Sequence, residues 1–301
     1  MNKELLNQII SCDRRAIAKA LTIVESTTEV DQKTTQELIS SLIDHQCTKT
    51  KVIGFSGITG SGKSSLIEEV GKNLLTQNKK IAVLAIDPSS PVHGGSILGD
   101  KTRMSTLSNH PDCFVRPVPS KFNHGGISRS TREAVSIFSA AKYDYIFIET
   151  VGVGQTEYSV SEMCDLFIVN LLPATGDELQ GVKKGINELA DIILINKADG
   201  ALETQANLTV NEYKKTLSKP IITTSIYNKN SIQSIISLID DFFTKQTKAI
   251  KNKRDNQNKL WAKSLALSSL NDRLQEILEN VEVNNPYIAK EDLLSKLKKS
   301  L

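Results

Sequence analysis

The segment from Val52 to Ser65, VIGFSGITGSGKSS, constrains the fold more than any other part of the chain. Gly57 is followed, after four residues, by Gly62, Lys63 and Ser64, between a hydrophobic strand pattern and an amphipathic helical one. Glycines admit positive φ and close backbone approach. The N–H groups of Gly57, Ile58, Thr59, Gly60, Ser61 and Gly62 can therefore wrap phosphates, while the helix that follows turns its positive end toward them. In this pattern Lys63 reaches the outer phosphates, Ser64 ligates magnesium, and Ser65 continues the nucleotide-binding run into the helix. The alternative, a plain Gly-rich turn from strand to helix, is disfavoured because motif and context both match.

A phosphate loop of this kind needs a parallel sheet behind it, and the chain supplies one. From Lys51 to about Phe243 short apolar runs alternate with helical patterns, the signature of a mostly parallel sheet covered by helices on both faces. Strands are expected at Val52–Phe55, Ile81–Ile86, Phe114–Val118, Tyr145–Glu149, Leu166–Leu171, Ile192–Asn196 and Ile221–Thr224, and the clearest helices at Ser64–Thr76 and Ile232–Phe243. The expected fold class is α/β, a P-loop NTPase with its ligand at the carboxyl ends of the strands. Residues 1–48 read as an amphipathic helical prefix, 49–245 as the nucleotide-binding domain and 246–301 as a C-terminal helical region. Within the last region, Lys245–Lys259 is polar and reads as a solvated helix end or linker. Leu260–Val281 and Ile288–Leu297 read as helices.

Composition excludes several partners. The 301 residues carry 37 basic and 34 acidic side chains, a balance that does not suggest nucleic acid or a membrane surface. The N-terminus lacks the apolar run of a signal peptide, and no stretch approaches the roughly 20 apolar residues of a membrane span. A cytoplasmic location is expected. Cys12, Cys47, Cys113 and Cys164 are scattered without C-x-x-C spacing, so reduced thiols are expected rather than disulfides or zinc ligands.

Two further motifs fall at strand ends. In YDYIFIETVGVGQTE, Glu149 closes a buried strand where a carboxylate can hold magnesium, and Gly152 can bring its N–H to the γ-phosphate, so that loss of this phosphate releases the loop. Small signalling GTPases place a water-orienting glutamine after that glycine, whereas Val153 stands here. Slow intrinsic hydrolysis, raised when a partner completes the site, is the expectation. The run Asn196, Lys197, Ala198 and Asp199 selects the base. Asp199 can accept hydrogen bonds from guanine N1–H and the exocyclic amine; adenine offers neither. Asn196 can tie this loop to the phosphate loop, Lys197 can lie along the base, and Ser225 with Ile226 is placed for a backbone contact with the guanine oxygen.

The combination of GITGSGKS, ETVGVGQTE and NKAD resembles the methylmalonyl-CoA mutase-associated GTPases, the MeaB/ArgK type within the metallochaperone-like class. AIDPSSPVHGGSILGDKTRM, LPATGDELQGVKKGI, RRAIAKALTIVES and NNPYIAKEDLL extend the likeness over nearly the whole chain. The resemblance implies GTP and GDP as bound nucleotides, and Mg2+ held by Ser64, Asp87, Asp100 and Glu149. It also implies a catalytic set of Lys63, Glu149, Gly152 and Lys183, and a switch in which Glu178, Gln180 and Lys183 contact the partner. That partner would be an adenosylcobalamin-dependent acyl-CoA mutase, methylmalonyl-CoA mutase in type, whose cofactor loading or protection the GTPase gates. The C-terminal region would serve a homodimer. From Ser120 to Gly126 the chain reads SKFNHGG where the family pattern is S-R-G-x-L-G-G. Two other functions compete. A nickel metallochaperone GTPase would need a metal relay, and none of His45, His93, His110 and His124 lies beside a cysteine at ligand spacing. An ATP-dependent kinase of a transport protein is opposed by Asp199.

Overall fold

The computed structural model describes residues 3–26, 28–87, 104–119, 126–150, 155–173, 184–279 and 285–300. At its centre is a seven-stranded parallel sheet in the order β3-β2-β4-β1-β5-β6-β7. The strands are β1 (Lys51–Ser56), β2 (Ile81–Asp87), β3 (Cys113–Pro119), β4 (Tyr145–Glu149), β5 (Leu166–Leu171), β6 (Ile192–Ile195) and β7 (Ile221–Thr223). All seven expected strands are present, with ends within a residue of the expectation. Asn196 and Thr224 lie just beyond their strands.

Period-two alternation assigns the core to two faces, since successive strand side chains point to opposite sides. On one face Ala82, Leu84, Ile146, Ile148, Phe167 and Val169 pack together. On the other, Ile53, Phe55, Val83, Phe147, Leu166 and Ile168 do so. Phe55 and Phe147 meet edge to face with centroids 5.4 Å apart. Burying such side chains contributes about 1.5–3 kcal/mol each, which is why both faces need helical cover.

The first face is covered by α1 (Lys3–Ile10), α2 (Arg14–Glu25), α3 (Glu29–Ile43) and α6 (Gly126–Ala140), and the second by α4 (Lys63–Thr76), α5 (Ser105–Asn109) and α10 (Lys229–Lys245). The helical prefix is thus part of the sheet's cover, with Ile9, Ile17, Leu21 and Leu42 fully buried. Asp13 caps α2 by accepting from the Ala16 N–H at 2.7 Å. Arg14 fastens the prefix to the sheet edge by donating to the Cys113 carbonyl at 2.6 Å and lying over the Phe114 ring. The Arg116 guanidinium pairs with Glu25.

α7 (Gln155–Ser161), α8 (Lys184–Leu189) and α9 (Glu203–Thr216) complete the crossovers, and α11 (Thr247–Leu278) and α12 (Pro286–Ser300) end the chain. The polar stretch Lys245–Lys259, read as a helix end or linker, runs from the last residue of α10 into the start of the continuous 32-residue helix α11. Most of the stretch is exposed, as that reading expects, but two of its polar residues dock the helix. Arg254 forks onto the buried carboxylate of Asp165 at 2.7 Å through both Nε and Nη2, and Gln257 donates to the Cys164 carbonyl at 2.8 Å. The four cysteines are free thiols. Burial pushes Cys113 and Cys164 up to about 12, so both are protonated, inert core groups. Among the described residues no helix is long and apolar enough to cross a membrane.

Candidate nucleotide site

At the carboxyl edge of the sheet, β1, β4, β5, β6 and β7 deliver the residues singled out in the sequence to one place. β1 is flanked by β4 and β5, and the chain leaves it into the loop Gly57–Gly62 before α4 begins at Lys63. Gly57, Gly60 and Gly62 have φ of 140°, 82° and 86°. At two of them glycine is required by space as well as by φ. A Cβ at Gly57 would stand 2.0 Å from the Asn170 carbonyl oxygen, and one at Gly62 would stand 2.6 Å from Asn196 Nδ2. The crest of the loop, Ile58, Thr59 and Gly60, is exposed, while Ser61 and Lys63 are buried. Ser65 is exposed on the first turn of α4.

Lys63 reaches back across the loop, donating from Nζ to the carbonyls of Gly57 at 2.7 Å and Ile58 at 3.1 Å. Its ammonium is thus held over the cradle. The Ser64 hydroxyl donates to Glu149 Oε1 at 2.6 Å, joining the start of α4 to the end of β4. Asp87 is the last residue of β2, in register with Pro119 on β3. Its side chain, together with Asp100, Gly152, Val153, Glu178, Gln180, Lys183 and Ser120–Gly125, lies outside the described residues, so the geometry bears on none of these.

The base motif sits beside the loop. Asn196, 2% exposed, donates from Nδ2 to the Ser61 carbonyl at 2.8 Å, and its Oδ1 accepts from the Thr224 hydroxyl at 3.1 Å. Lys197 has a φ of 57°, a left-handed conformation uncommon outside glycine, and is exposed. The Ala198 N–H donates to the Thr224 carbonyl at 2.9 Å, clamping the two loops after β6 and β7. Asp199 Oδ2 accepts from the Ser225 hydroxyl, and the Ser225 Oγ accepts in turn from the Tyr227 N–H. Ile226 is half-buried against the second core face.

Two residues of this arrangement were not singled out in the sequence. Asn170, fully buried in β5, donates from Nδ2 to the same Ser61 carbonyl at 2.8 Å. Thr224 locks Asn196 from its other side. An asparagine inside the buried run FIVNLL was itself a signal, because an amide without a partner there costs about 1–3 kcal/mol.

The sheet order, the loop with its lysine and the strand-end carboxylate define a P-loop nucleoside-triphosphatase fold. Among solved structures, a "LAO/AO transport system kinase" is similar over 98% of this chain and 97% of that one, with a TM-score of 0.74 and 28% identity. The family model "Methylmalonyl Co-A mutase-associated GTPase MeaB" matches residues 17–279, and the chain belongs to that family of P-loop GTPases. The GTPase ArgK of Escherichia coli is 38% identical over 270 residues, covering 86% of this chain and 81% of that protein. A "Probable GTPase" of Mycobacterium bovis is 48% identical over 200 residues, 66% of this chain and 59% of the relative's own length. The Caenorhabditis elegans "Methylmalonic aciduria type A homolog, mitochondrial" is 39% identical over 282 residues, covering 86% of this chain and 70% of that one.

Proposed function

We propose that this chain binds and hydrolyses GTP with Mg2+, and that the nucleotide state gates loading or protection of adenosylcobalamin in an acyl-CoA mutase of the methylmalonyl-CoA mutase type. The observation that carries the nucleotide half is the Asn196 bond to the Ser61 carbonyl, which fixes the base loop against the phosphate loop. The mutase half is supported by the family description, which associates its members with methylmalonyl-CoA mutase, and the cobalamin step by the sequence resemblance alone.

In this reading the backbone N–H groups from Gly57 to Ser65 hold the phosphates. Lys63 leaves the Gly57 and Ile58 carbonyls for the β- and γ-phosphate oxygens. Asp199 exchanges the Ser225 hydroxyl for guanine N1–H and the exocyclic amine, and Ser225 and Ile226 offer backbone to the guanine oxygen. The Ser64 hydroxyl and Glu149 carboxylate, already in contact, are hard oxygen donors of the kind Mg2+ takes. Asp87 and Asp100 would join them. When bound, the ion neutralises charge on the transferring phosphoryl group. Gly152 senses the γ-phosphate, and Lys183 with Glu178 and Gln180 carries the state to the partner. Val153 leaves the attacking water without the usual glutamine, so hydrolysis waits for a partner or a second subunit.

A homodimer through the C-terminal helices belongs to the same reading. Leu260, Leu267 and Leu278 recur on one face of α11 and are 46%, 49% and 37% exposed.

Nucleotide-dependent capture from the native host tests the whole. Recovery of a cobalamin-dependent mutase with a nonhydrolysable GTP analogue is expected, and Lys63→Ala should abolish it by removing tight nucleotide binding. Recovery of a nickel enzyme's maturation factors instead would overturn the proposal.

A further inference from the structure

The opposite edge of the sheet, where β1 and β5 begin, borders a second cavity. It measures about 1120 Å³ and lies between α11, α6, α10 and the entry to β1, away from the phosphate loop. This exceeds the roughly 300–1,000 Å³ of ordinary small-molecule sites, so a ligand would occupy part of it. Of its five cations two have carboxylates, Lys51 with Asp240 and Arg254 with Asp165, each at 2.7 Å, and Lys49 and Lys251 stand exposed. Arg132 differs. It forms no ion pair among the described residues, and its Nη1 and Nη2 reach only the carbonyls of Gln257 at 3.3 Å and Glu162 at 3.4 Å.

A guanidinium carries five N–H donors, so those two long bonds leave Arg132 with spare capacity. Burial pushes its pKa down, more than the nearby Glu162 carboxylate raises it. Trp261 lines the same cavity, and its indole Nε1–H is buried without an acceptor among the described residues. Val135 and Met163 add apolar wall. Native proteins rarely leave buried donors unmet, and each costs about 1–3 kcal/mol. What Arg132 lacks is an acceptor of its own, because the cavity's carboxylates, Asp165, Asp240 and Asp255, make no bond to it among the described residues. The missing acceptor should be anionic to suit Arg132, planar to suit its fork, and attached to hydrocarbon to suit the wall.

We propose that this cavity binds a small organic carboxylate, its carboxyl group on Arg132 and its hydrocarbon body against Trp261, Val135 and Met163. Because the walls come from α6 and α11, such a ligand bridges the helix covering the sheet to the helix that leads out to the C-terminus. This site is independent of the nucleotide reading.

Trp261 is the single tryptophan of the chain, so its fluorescence reports on this cavity alone. The full chain is titrated with butyrate and hexanoate, with inorganic phosphate as the competing anion. A saturable change with hexanoate, weakened about tenfold or more in Arg132→Gln, is expected, since tenfold corresponds to one charge-assisted bond. Trp261→Ala, followed by calorimetry, removes the apolar wall and should also weaken hexanoate; it serves if Arg132→Gln does not fold. No saturable response to either carboxylate, phosphate binding as tightly as hexanoate, or an affinity unchanged in the folded variants would overturn the assignment.

Discussion

Ser61 offers one carbonyl, and two buried amides take it, Asn170 from β5 and Asn196 from the base loop. The first should set how stiffly the phosphate loop is held, while the second also links it to base recognition. Asn170→Ala removes one bond, worth about 0.5–1.5 kcal/mol, and GDP should dissociate about 2- to 10-fold faster with guanine preference unchanged. Stopped-flow release of a fluorescent GDP measures this, and an unaltered rate would show that Asn196 suffices. Another prediction belongs to Glu133, whose Oε1 accepts from Arg129 while Oε2 is buried without a partner among the described residues. Burial raises its pKa above the ordinary 4.5, more than Arg129 lowers it. In acid the carboxyl is protonated in both folded and unfolded chains and costs nothing. As pH rises through 4.5 the unfolded chain ionises first, and stability is lost until the folded group ionises too. Glu133→Gln should therefore match the wild type in acid and exceed it at neutral pH in urea denaturation; a variant less stable at neutral pH would contradict this. The residue scale also shows the limit of a motif. Asn196 was legible because it stands in a recognised tetrapeptide, whereas Asn170 stands in none and became visible only when β5 placed it beside Ser61.

At the scale of elements the strands were legible to within a residue, because a sheet buried on both faces demands short continuous apolar runs. The docking of α11 was not. The Lys, Asn and Gln content of the helix start describes a solvated helix end or linker, and nothing local in the sequence marks Arg254 as the partner of Asp165, 89 residues away. That pair holds the helix to the foot of the sheet, with the Arg254 guanidinium also donating to the Thr48 and Thr50 carbonyls. Asp165 is nearly inaccessible, and it also accepts from the Val52 N–H at 2.9 Å. Arg254→Ala strands a buried carboxylate and should cost about 3 kcal/mol in urea denaturation. Adding Asp165→Asn should recover part of the loss, and failure to do so would place the energy elsewhere on α11.

For the whole molecule, the described parts of the nucleotide site and the carboxylate cavity occupy opposite edges of one sheet, with α11 and α12 leading away from the second. The proposed dimer uses the exposed leucines of these helices. Leu267→Asp should yield monomers by light scattering with GTP affinity intact, and an unchanged mass would move the interface elsewhere. The central claim is that a phosphate loop and a guanine-reading carboxylate act as one site. Equilibrium titration of GTP, XTP and ATP against the wild type and Asp199→Asn measures it. The account predicts wild-type binding of GTP at least about 100-fold over ATP, the worth of two hydrogen bonds to a charged acceptor, with the variant turning to XTP. Equal affinity of the wild type for ATP, or unchanged guanine preference in Asp199→Asn, would contradict it.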